Sequence, residues 1–354
     1  MSKIEIYLPN INFTIITSQK YEETVKKALS ESIIPYRKDN DKYIQIEYIV
    51  DENQFIETLH QIKLTKGKIY DSFKNQKHKE VCLNNIFYYL VDTEEYICIK
   101  KDNLNYKILV KENNDISLNW IIRIIRELYL REKEDLGFDF MHGTALEIDG
   151  KGILLLGNSG SGKTTLAVKI LELNKEKSFL SNDRVLIDKN LNIDYFPHAI
   201  TYAMGTVKNN KHLDKYFREN RLLEKKKNIS YENASNDIDC NTPLSDVAKV
   251  FNLTNTIART KLDYIIYPRF DKEFEKVEII HMSEDEKRIF LEETNFTPDD
   301  KESLRKPWIR KREKNRSKLL EIRETLINNI IKNVSIKKIK YGTKTKIEDI
   351  LKIL

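Results

Sequence analysis

The pattern that decides the fold lies at residues 153–174, where the sequence reads ILLLGNSGSGKTTLAVKILELN. Four apolar residues at 153–156 predict a buried strand, and the apolar stripe that follows Lys163 predicts a helix to about Asn174. Between them, the loop Gly157–Thr164 fits the phosphate-loop pattern G-x-x-x-x-G-K-[ST] at each fixed position. A strand, a glycine-rich loop and a helix in this order predict an α/β protein with a nucleoside-triphosphate site.

The residue types in the loop suit a chain of phosphates. Glycine allows successive backbone N–H groups to turn towards an anion, and the positive end of the helix dipole points to the same place. We expect Lys163 to reach the β- and γ-phosphates of ATP and the Thr164 hydroxyl to hold Mg²⁺. No motif distinguishes ATP from GTP. The predicted nucleotide-binding residues are Gly157, Asn158, Ser159, Gly160, Ser161, Gly162, Lys163, Thr164 and Thr165.

A β-hairpin is predicted immediately before this loop, with its turn at residues 149–152. Antiparallel pairing about that turn predicts that Thr144 lies opposite Gly157 and that His142 lies beside Ser159. The imidazole would then be close to the phosphate that is transferred. A purely structural role for this histidine is the alternative.

A carboxylate follows the next apolar run, because residues 179–184 read FLSNDR. We expect Asp183 to bind Mg²⁺ together with Thr164, directly or through water, or to accept the proton of an attacking hydroxyl. The alternative is a turn residue that caps its own backbone. Two further acids, Asp188 and Asp194, are expected to be solvated.

Together these segments resemble the HPr kinase and phosphoenolpyruvate carboxykinase-like superfamily, and most closely the HPr-kinase-related proteins of peptide-modification gene clusters. The resemblance covers about residues 115–354 and rests on Met141–Ala145, Gly157–Thr165 and Phe179–Val185, with weaker similarity at Tyr195–Pro197, Ile265–Arg269 and Ile336–Tyr341. It implies a P-loop kinase core with a mixed sheet and flanking helices. It also implies ATP- and Mg²⁺-dependent phosphate transfer to a serine or threonine hydroxyl of a peptide or protein, such as a ribosomally made precursor peptide.

The resemblance implies catalytic roles for His142, Lys163 and Asp183, with Asp183 as the second of the family's paired acids. Asn182 stands where the family usually has the first aspartate. Either Asp183 serves as both metal ligand and base, or transfer is weak. The signature of HPr kinase for the reverse reaction is not evident, so a role in regulating sugar uptake is not supported. A kinase of a small hydroxylated metabolite and a nucleotide-binding switch with little transfer stay open.

Two domains are predicted. Residues 1–112 form a smaller α/β domain without a chemical motif, and residues 113–354 form the kinase-like domain. Its predicted elements include an amphipathic helix at Leu118–Leu130 and a strand that ends at Pro268. A polar stretch at about residues 208–245 is expected to be a mobile insertion or lid rather than core.

Composition excludes several classes of protein. The chain has 354 residues, of which 40% are hydrophobic and 33% charged, which excludes a wholly disordered protein. Its net charge of +6 is too diffuse for a nucleic-acid partner, and the basic stretch Arg305–Lys318 around Trp308 is expected to be a solvated helix face. No apolar run reaches about 18 residues, so no membrane partner is expected. Three widely spaced cysteines suit a cytoplasmic protein, and homo-oligomerisation stays open.

Overall fold

The protein is a mixed α/β chain built on two large sheets. The computed structural model describes residues 1–33, 36, 42–71, 77–91, 97–220, 229–253, 255–298, 309–310 and 313–353. The chain divides into two compact units, the first comprising residues 1–30, 35–136 and 298–319, and the second residues 31–34, 137–297 and 320–354. The division therefore follows residue 136, whereas the sequence predicted a boundary at residue 112.

The described residues of the first unit form one sheet and three helices. Its strands are β1 (Ser2–Leu8), β2 (Ile11–Thr17), β3 (Tyr43–Val50), β4 (Lys68–Asp71), β5 (Lys77–Leu83), β6 (Ile86–Val91), β7 (Ile97–Asp102) and β8 (Asn105–Val110), and its helices are α1 (Glu22–Ser32), α2 (Glu52–Leu64) and α3 (Asp115–Leu136). The strand order is β1-β2-β3-β8-β7-β6-β5-β4. Helix α2 packs Phe55 and Ile62 against Val81 and Leu90 of this sheet.

Helix α3 extends beyond the predicted Leu118–Leu130 because its last turns bury charged residues in pairs. The Arg131 guanidinium is fully buried and donates to Glu127 at 2.9 Å and to Glu134 at 2.5 Å. Buried charges are tolerated when they are paired and hydrogen-bonded. An apolar pattern cannot reveal such a segment.

Residues 305–308 and 311–312 of the predicted basic stretch Arg305–Lys318, among them Trp308, lie outside the described residues. Within the first unit, Arg310 donates to Glu132 at 2.6 Å and to Asp135 at 3.0 Å, and its side chain is only 12% exposed. This arginine therefore does not belong to a solvated helix face.

The second unit is built on a ten-stranded sheet. Its strands are β9 (Asp139–Met141), β10 (Gly143–Ile148), β11 (Lys151–Leu156), β12 (Lys177–Ser181), β13 (Val185–Ile187), β14 (Asn192–Asp194), β17 (Asn255–Thr256), β18 (Arg259–Phe270), β19 (Glu278–Ile280) and β20 (Ser335–Tyr341). The main order is β17-β12-β10-β11-β18-β14-β13-β9, with β20 pairing with both β18 and β19. A separate pair is formed by β15 (Ile200–Ala203) and β16 (Asp239–Thr242).

Helices cover both faces of this sheet. They are α4 (Lys163–Leu171), α5 (Met204–Lys208), α6 (Lys211–Asn220), α7 (Leu244–Phe251), α8 (Glu284–Glu293), α9 (Arg316–Asn333) and α10 (Ile347–Leu351). Leu166 and Ile170 of α4 pack into one apolar cluster, while Phe290 of α8 and Ile327 of α9 pack into the other. The predicted strand–loop–helix order at residues 153–174 agrees with these elements.

The predicted hairpin is present, but its register differs from the prediction by two residues. Gly143 pairs with Leu156 and Thr144 pairs with Leu155, so Thr144 does not face Gly157. Asp149 and Gly150 have φ of 48° and 74°, as the two central residues of a type I′ turn require. The turn is therefore centred one residue earlier than predicted. The pairing ends at Gly143 and Leu156, and this register, continued by one residue, would place His142 opposite Gly157 rather than beside Ser159.

Two other predictions in this unit are wrong. Strand β18 continues through Pro268, which pairs with Ile339 of β20. The β11 ladder has already stopped at Ile266, so on that side the missing proline N–H interrupts nothing. The described part of residues 208–245 is not a wholly mobile insertion, because Leu213, Phe217 and Cys240 are buried there.

Among the described residues, none of the helices combines the length and the apolar composition needed to cross a bilayer.

The close approach of β11 to β18 gives a stability test. A Cβ on Gly152 would lie 1.9 Å from the Lys261 carbonyl oxygen, so alanine there must push β18 away. We expect Gly152→Ala to lower the unfolding free energy by about 3 kcal/mol. In the matched control, Gly150→Ala, the added Cβ would have no atom within 4 Å. Its expected cost is the backbone strain of a side chain at a φ of +74°, about 1 kcal/mol. Urea unfolding of both variants measures the difference, and equal losses would contradict the proposed contact.

Candidate functional site

Three segments of the second unit meet at one edge of its sheet. Strand β10 lies between β11 and β12 and is antiparallel to both. The start of β10 therefore lies beside the ends of its two neighbours. His142 precedes β10, the loop that starts at Gly157 follows β11, and Asn182 and Asp183 follow β12. Backbone pairing alone thus brings the predicted histidine, loop and acid to the same edge.

The loop from Gly157 to Gly162 adopts a conformation that suits glycine at its two fixed positions. Gly157 and Gly162 have φ of 147° and 94°, values that L side chains rarely adopt. A Cβ on Gly162 would also lie 2.6 Å from the Phe270 Cβ. Helix α4 begins directly afterwards at Lys163, so its N-terminal amides face the loop.

Polar groups in the loop fit an anion. The Lys163 ammonium donates to the carbonyl oxygens of Gly157 at 2.6 Å and Asn158 at 3.0 Å. The Ser161 hydroxyl is buried and has no hydrogen-bond partner among the described residues. A buried polar group without a partner is costly, and a phosphate oxygen would satisfy it. Ser159 and Gly160, by contrast, are exposed.

The Asp183 carboxylate is surrounded by nitrogen-bearing side chains. Its Oδ1 lies 3.3 Å from His142 Nε2. Its Oδ2 lies 2.9 Å from Arg184 Nη1 and 3.8 Å from His198 Nε2. Asp183 has φ of +68°, a strained conformation that aspartate tolerates better than most residues. His198 was not predicted as a site residue, and its only sequence signal is that it follows the weakly similar segment Tyr195–Pro197.

The surroundings of Asp183 keep it charged. Burial raises the pKa of its carboxyl, but the hydrogen bond from His142 and the charges of Arg184 and His198 outweigh burial and hold the pKa well below its usual range. A carboxylate of this kind is a good ligand for a hard cation. It is a weak proton acceptor, because a general base works best with a pKa near the working pH.

A second segment fixes the position of His142. The His142 backbone N–H donates to the Thr294 carbonyl at 2.8 Å. Its imidazole stacks on Phe296 with ring centroids 5.2 Å apart, and the Arg184 guanidinium lies 4.9 Å from the same ring. No sequence motif marks Phe296, because its role depends on a contact between segments that are distant in the chain.

Asn182 and Asp194 are both buried but have different hydrogen-bond partners. Asn182 is buried, and its Oδ1 accepts a hydrogen bond from the Thr144 hydroxyl at 2.9 Å. Asp194 is fully buried and pairs with Arg259 at 2.5 and 2.9 Å, so the expectation that it is solvated is wrong. Its position at the β14–β18 pairing makes it structural.

The predicted metal ligands cannot form a complete site by themselves. Among the described residues, no three His, Cys, Asp or Glu side chains are grouped as a metal site requires. Thr164 is half-buried in the first turn of α4, near the sheet edge where Asp183 lies. Mg²⁺ commonly binds through one or two protein oxygens plus substrate phosphates. The residues present therefore fit Mg²⁺ that arrives with a nucleotide.

Compared with known proteins, the chain matches no family model and no curated protein.

The segment beneath His142 is held by a buried acid. Asp139 is fully buried at the start of β9, and its carboxylate accepts from the Phe140 N–H at 2.6 Å and from the Asn295 amide at 2.7 Å. Burial raises the pKa of Asp139 to about 6, although these hydrogen bonds lower it. Asn295 lies between Thr294 and Phe296, the two residues that contact His142. The charge of Asp139, whose carboxylate binds the Asn295 amide, therefore affects the segment that holds His142 in place.

This pKa predicts a pH-dependent stability. The pKa is higher in the folded state than in the unfolded state, so the contribution is full below about pH 4 and is lost as the pH rises through about 6. Relative to Asp139→Asn, the unfolding free energy of the unaltered protein should fall by about 2 kcal/mol between pH 4 and pH 7. Denaturant unfolding measures the difference, with Asp237→Asn as an exposed control. Parallel pH profiles for Asp139→Asn and the unaltered protein would refute the prediction.

Proposed function

We propose that this protein is an ATP- and Mg²⁺-dependent kinase with a P-loop core of the HPr kinase and phosphoenolpyruvate carboxykinase-like type. It transfers the γ-phosphate to a serine or threonine hydroxyl of a peptide or protein. The observation that carries the proposal is the 3.3 Å contact between His142 and Asp183 at the sheet edge where the phosphate loop starts. Nucleotide binding alone requires only the loop, whereas an acid paired with an imidazole suits transfer to a hydroxyl.

The loop residues bind the triphosphate. Backbone amides between Gly157 and Gly162 surround the phosphates, and the Ser161 hydroxyl donates to a phosphate oxygen. Lys163 leaves the loop carbonyls for the β- and γ-phosphates. Thr164 and Asp183 hold Mg²⁺, which neutralises charge on the phosphates.

The acceptor hydroxyl is oriented by Asp183. Phosphoryl transfer passes through a loose transition state, so positioning and charge neutralisation matter more than a strong base. A carboxylate with a lowered pKa is adequate for this task. The proton of the hydroxyl passes to the Asp183 carboxylate as the new phosphate ester forms, and His142, in contact with its Oδ1, holds that carboxylate in position.

A nucleotide-binding switch with little transfer is the second candidate. It is favoured by the absence of an acid at position 182, where the Asn182 amide instead accepts from Thr144. In that case the same residues bind the nucleotide, and the strongly held Asp183 carboxylate serves only to bind the metal.

Transfer from γ-labelled ATP to the peptide encoded beside this gene tests the kinase proposal. Lys163→Ala should lower kcat/KM at least about 100-fold through lost phosphate binding, and Asp183→Asn by about 100- to 1,000-fold. The matched control is Lys169→Ala on the same helix, because Lys169 donates to the Thr343 carbonyl at 2.9 Å and should leave transfer unchanged. Undiminished transfer by the first two variants would refute the site. Nucleotide binding without transfer to any acceptor would favour the switch.

The Asn182→Asp variant tests whether Asp183 alone can both bind Mg²⁺ and orient the acceptor hydroxyl. Aspartate at this position can still accept from Thr144, so the fold should be retained. If Asp183 is both metal ligand and acceptor-orienting group, the rate of transfer should be unchanged or higher, and Mg²⁺ should bind more tightly. Asn182→Ala controls for the loss of the hydrogen bond. A collapse of transfer in a folded Asn182→Asp variant would contradict the dual role of Asp183.

A further inference from the structure

One short segment contacts the candidate site at two places. His198 Nε2 lies 3.8 Å from Asp183 Oδ2, and the Thr206 hydroxyl lies 2.8 Å from the Thr165 hydroxyl. Residues 198–206 therefore extend from the acid to the first turn of α4. The sequence motifs assigned no role to Thr206.

The direction of a bound nucleotide follows from these two contacts. Lys163 faces the β- and γ-phosphates, and the γ-phosphate lies towards the acceptor and Asp183. The α-phosphate must then lie towards the residues that follow Lys163 on α4. Of these, Thr165 is the residue that Thr206 contacts. The nucleoside accordingly leaves the loop on the Thr206 side.

We propose that the polar module, defined as residues 200–220 and 229–251, binds the nucleoside part of the triphosphate. The Thr206 hydroxyl, together with Thr165, binds the sugar next to the α-phosphate, and the Asn236 amide binds the edge of the base. This inference rests on the proposed nucleotide site and adds to it the part of the ligand that the phosphate loop cannot recognise.

The module holds Asn236 beside Thr206. The backbone N–H of Gly205 donates to the Asn236 carbonyl at 2.9 Å, and the Lys208 ammonium donates to the Ala234 carbonyl at 2.7 Å. A Cβ on Gly205 would lie 3.4 Å from the Asn236 Cβ, so the two residues are in contact. Asn236 itself is exposed.

The side-chain amide of Asn236 can recognise a base by hydrogen bonding. A primary amide offers two donors and an acceptor, which matches the mixed hydrogen-bonding edges of adenine and guanine. The neighbouring backbone is fixed by the pairing of β15 with β16, from Ile200–Thr242 to Ala203–Asp239. Asn236 lies in the turn that precedes β16, and its backbone carbonyl is held by the Gly205 N–H at 2.9 Å, so the amide is presented from a fixed position, as a selective contact requires.

Binding of MgATP, MgGTP and Mg-tripolyphosphate to the full chain tests the inference, because tripolyphosphate has no nucleoside. Thr206→Val and Asn236→Ala should each weaken ATP binding by about three- to tenfold, the effect of one lost hydrogen bond. Binding of tripolyphosphate should be unchanged, and Asn236→Ala should also alter the ratio of ATP to GTP affinity. Thr206→Ser should restore ATP binding. Thr325→Val, on the exposed side of α9, is the control for loss of a threonine hydroxyl.

The outcomes separate this inference from the proposed function. Equal weakening of ATP and tripolyphosphate, or no weakening of either, overturns the nucleoside site while the kinase proposal stands. Selective weakening of ATP in a protein that transfers no phosphate supports the nucleoside site and rejects the kinase. If the unaltered protein binds neither ATP nor GTP, both proposals are rejected.

Discussion

Antiparallel pairing of β10 with both β11 and β12 sets the position of the chemical groups at the candidate site. The tight turn at Asp149 and Gly150 fixes the register of the hairpin, and Gly143 then pairs with Leu156. A slip of one residue would exchange the two faces of β10 and remove Ala145 and Leu146 from the separate apolar clusters in which they pack. The register is therefore held by the core, and the same register brings His142 to the start of the phosphate loop.

The electrostatics of the site depend on this arrangement. Asp183 lies in a strained backbone conformation with both carboxylate oxygens near nitrogen-bearing side chains. Burial alone would favour its neutral form, so Arg184 and the two histidines are what keep it charged. His142 is in turn supported by Phe296 and the Thr294 carbonyl. A carboxylate held in one position by these groups would not need to reorganise on binding the metal-bound nucleotide that we propose as the ligand.

Local sequence patterns predicted the strands and helix around Lys163 because apolar periodicity and glycine placement are local signals. They failed where paired charges or distant parts of the chain decide the structure. The buried ion pairs of Arg131 lengthen α3, Arg259 neutralises buried Asp194, and strand β20 keeps Pro268 within β18. In each case the stabilising partner lies a helical turn or many residues away along the chain. The apolar pattern of the sequence therefore does not predict the contact.

The sequence by itself determined the α/β class, the phosphate-loop pattern and the identity of the candidate acid and histidine, since residue type and spacing specify them. Only the tertiary structure decided the register that pairs Gly143 with Leu156, the placement of His198 and Arg184 on Asp183, and the contact between Thr165 and Thr206. These features depend on strand pairing between separate segments. Pairing partners are chosen by the packing of the whole core, which no short stretch of sequence encodes.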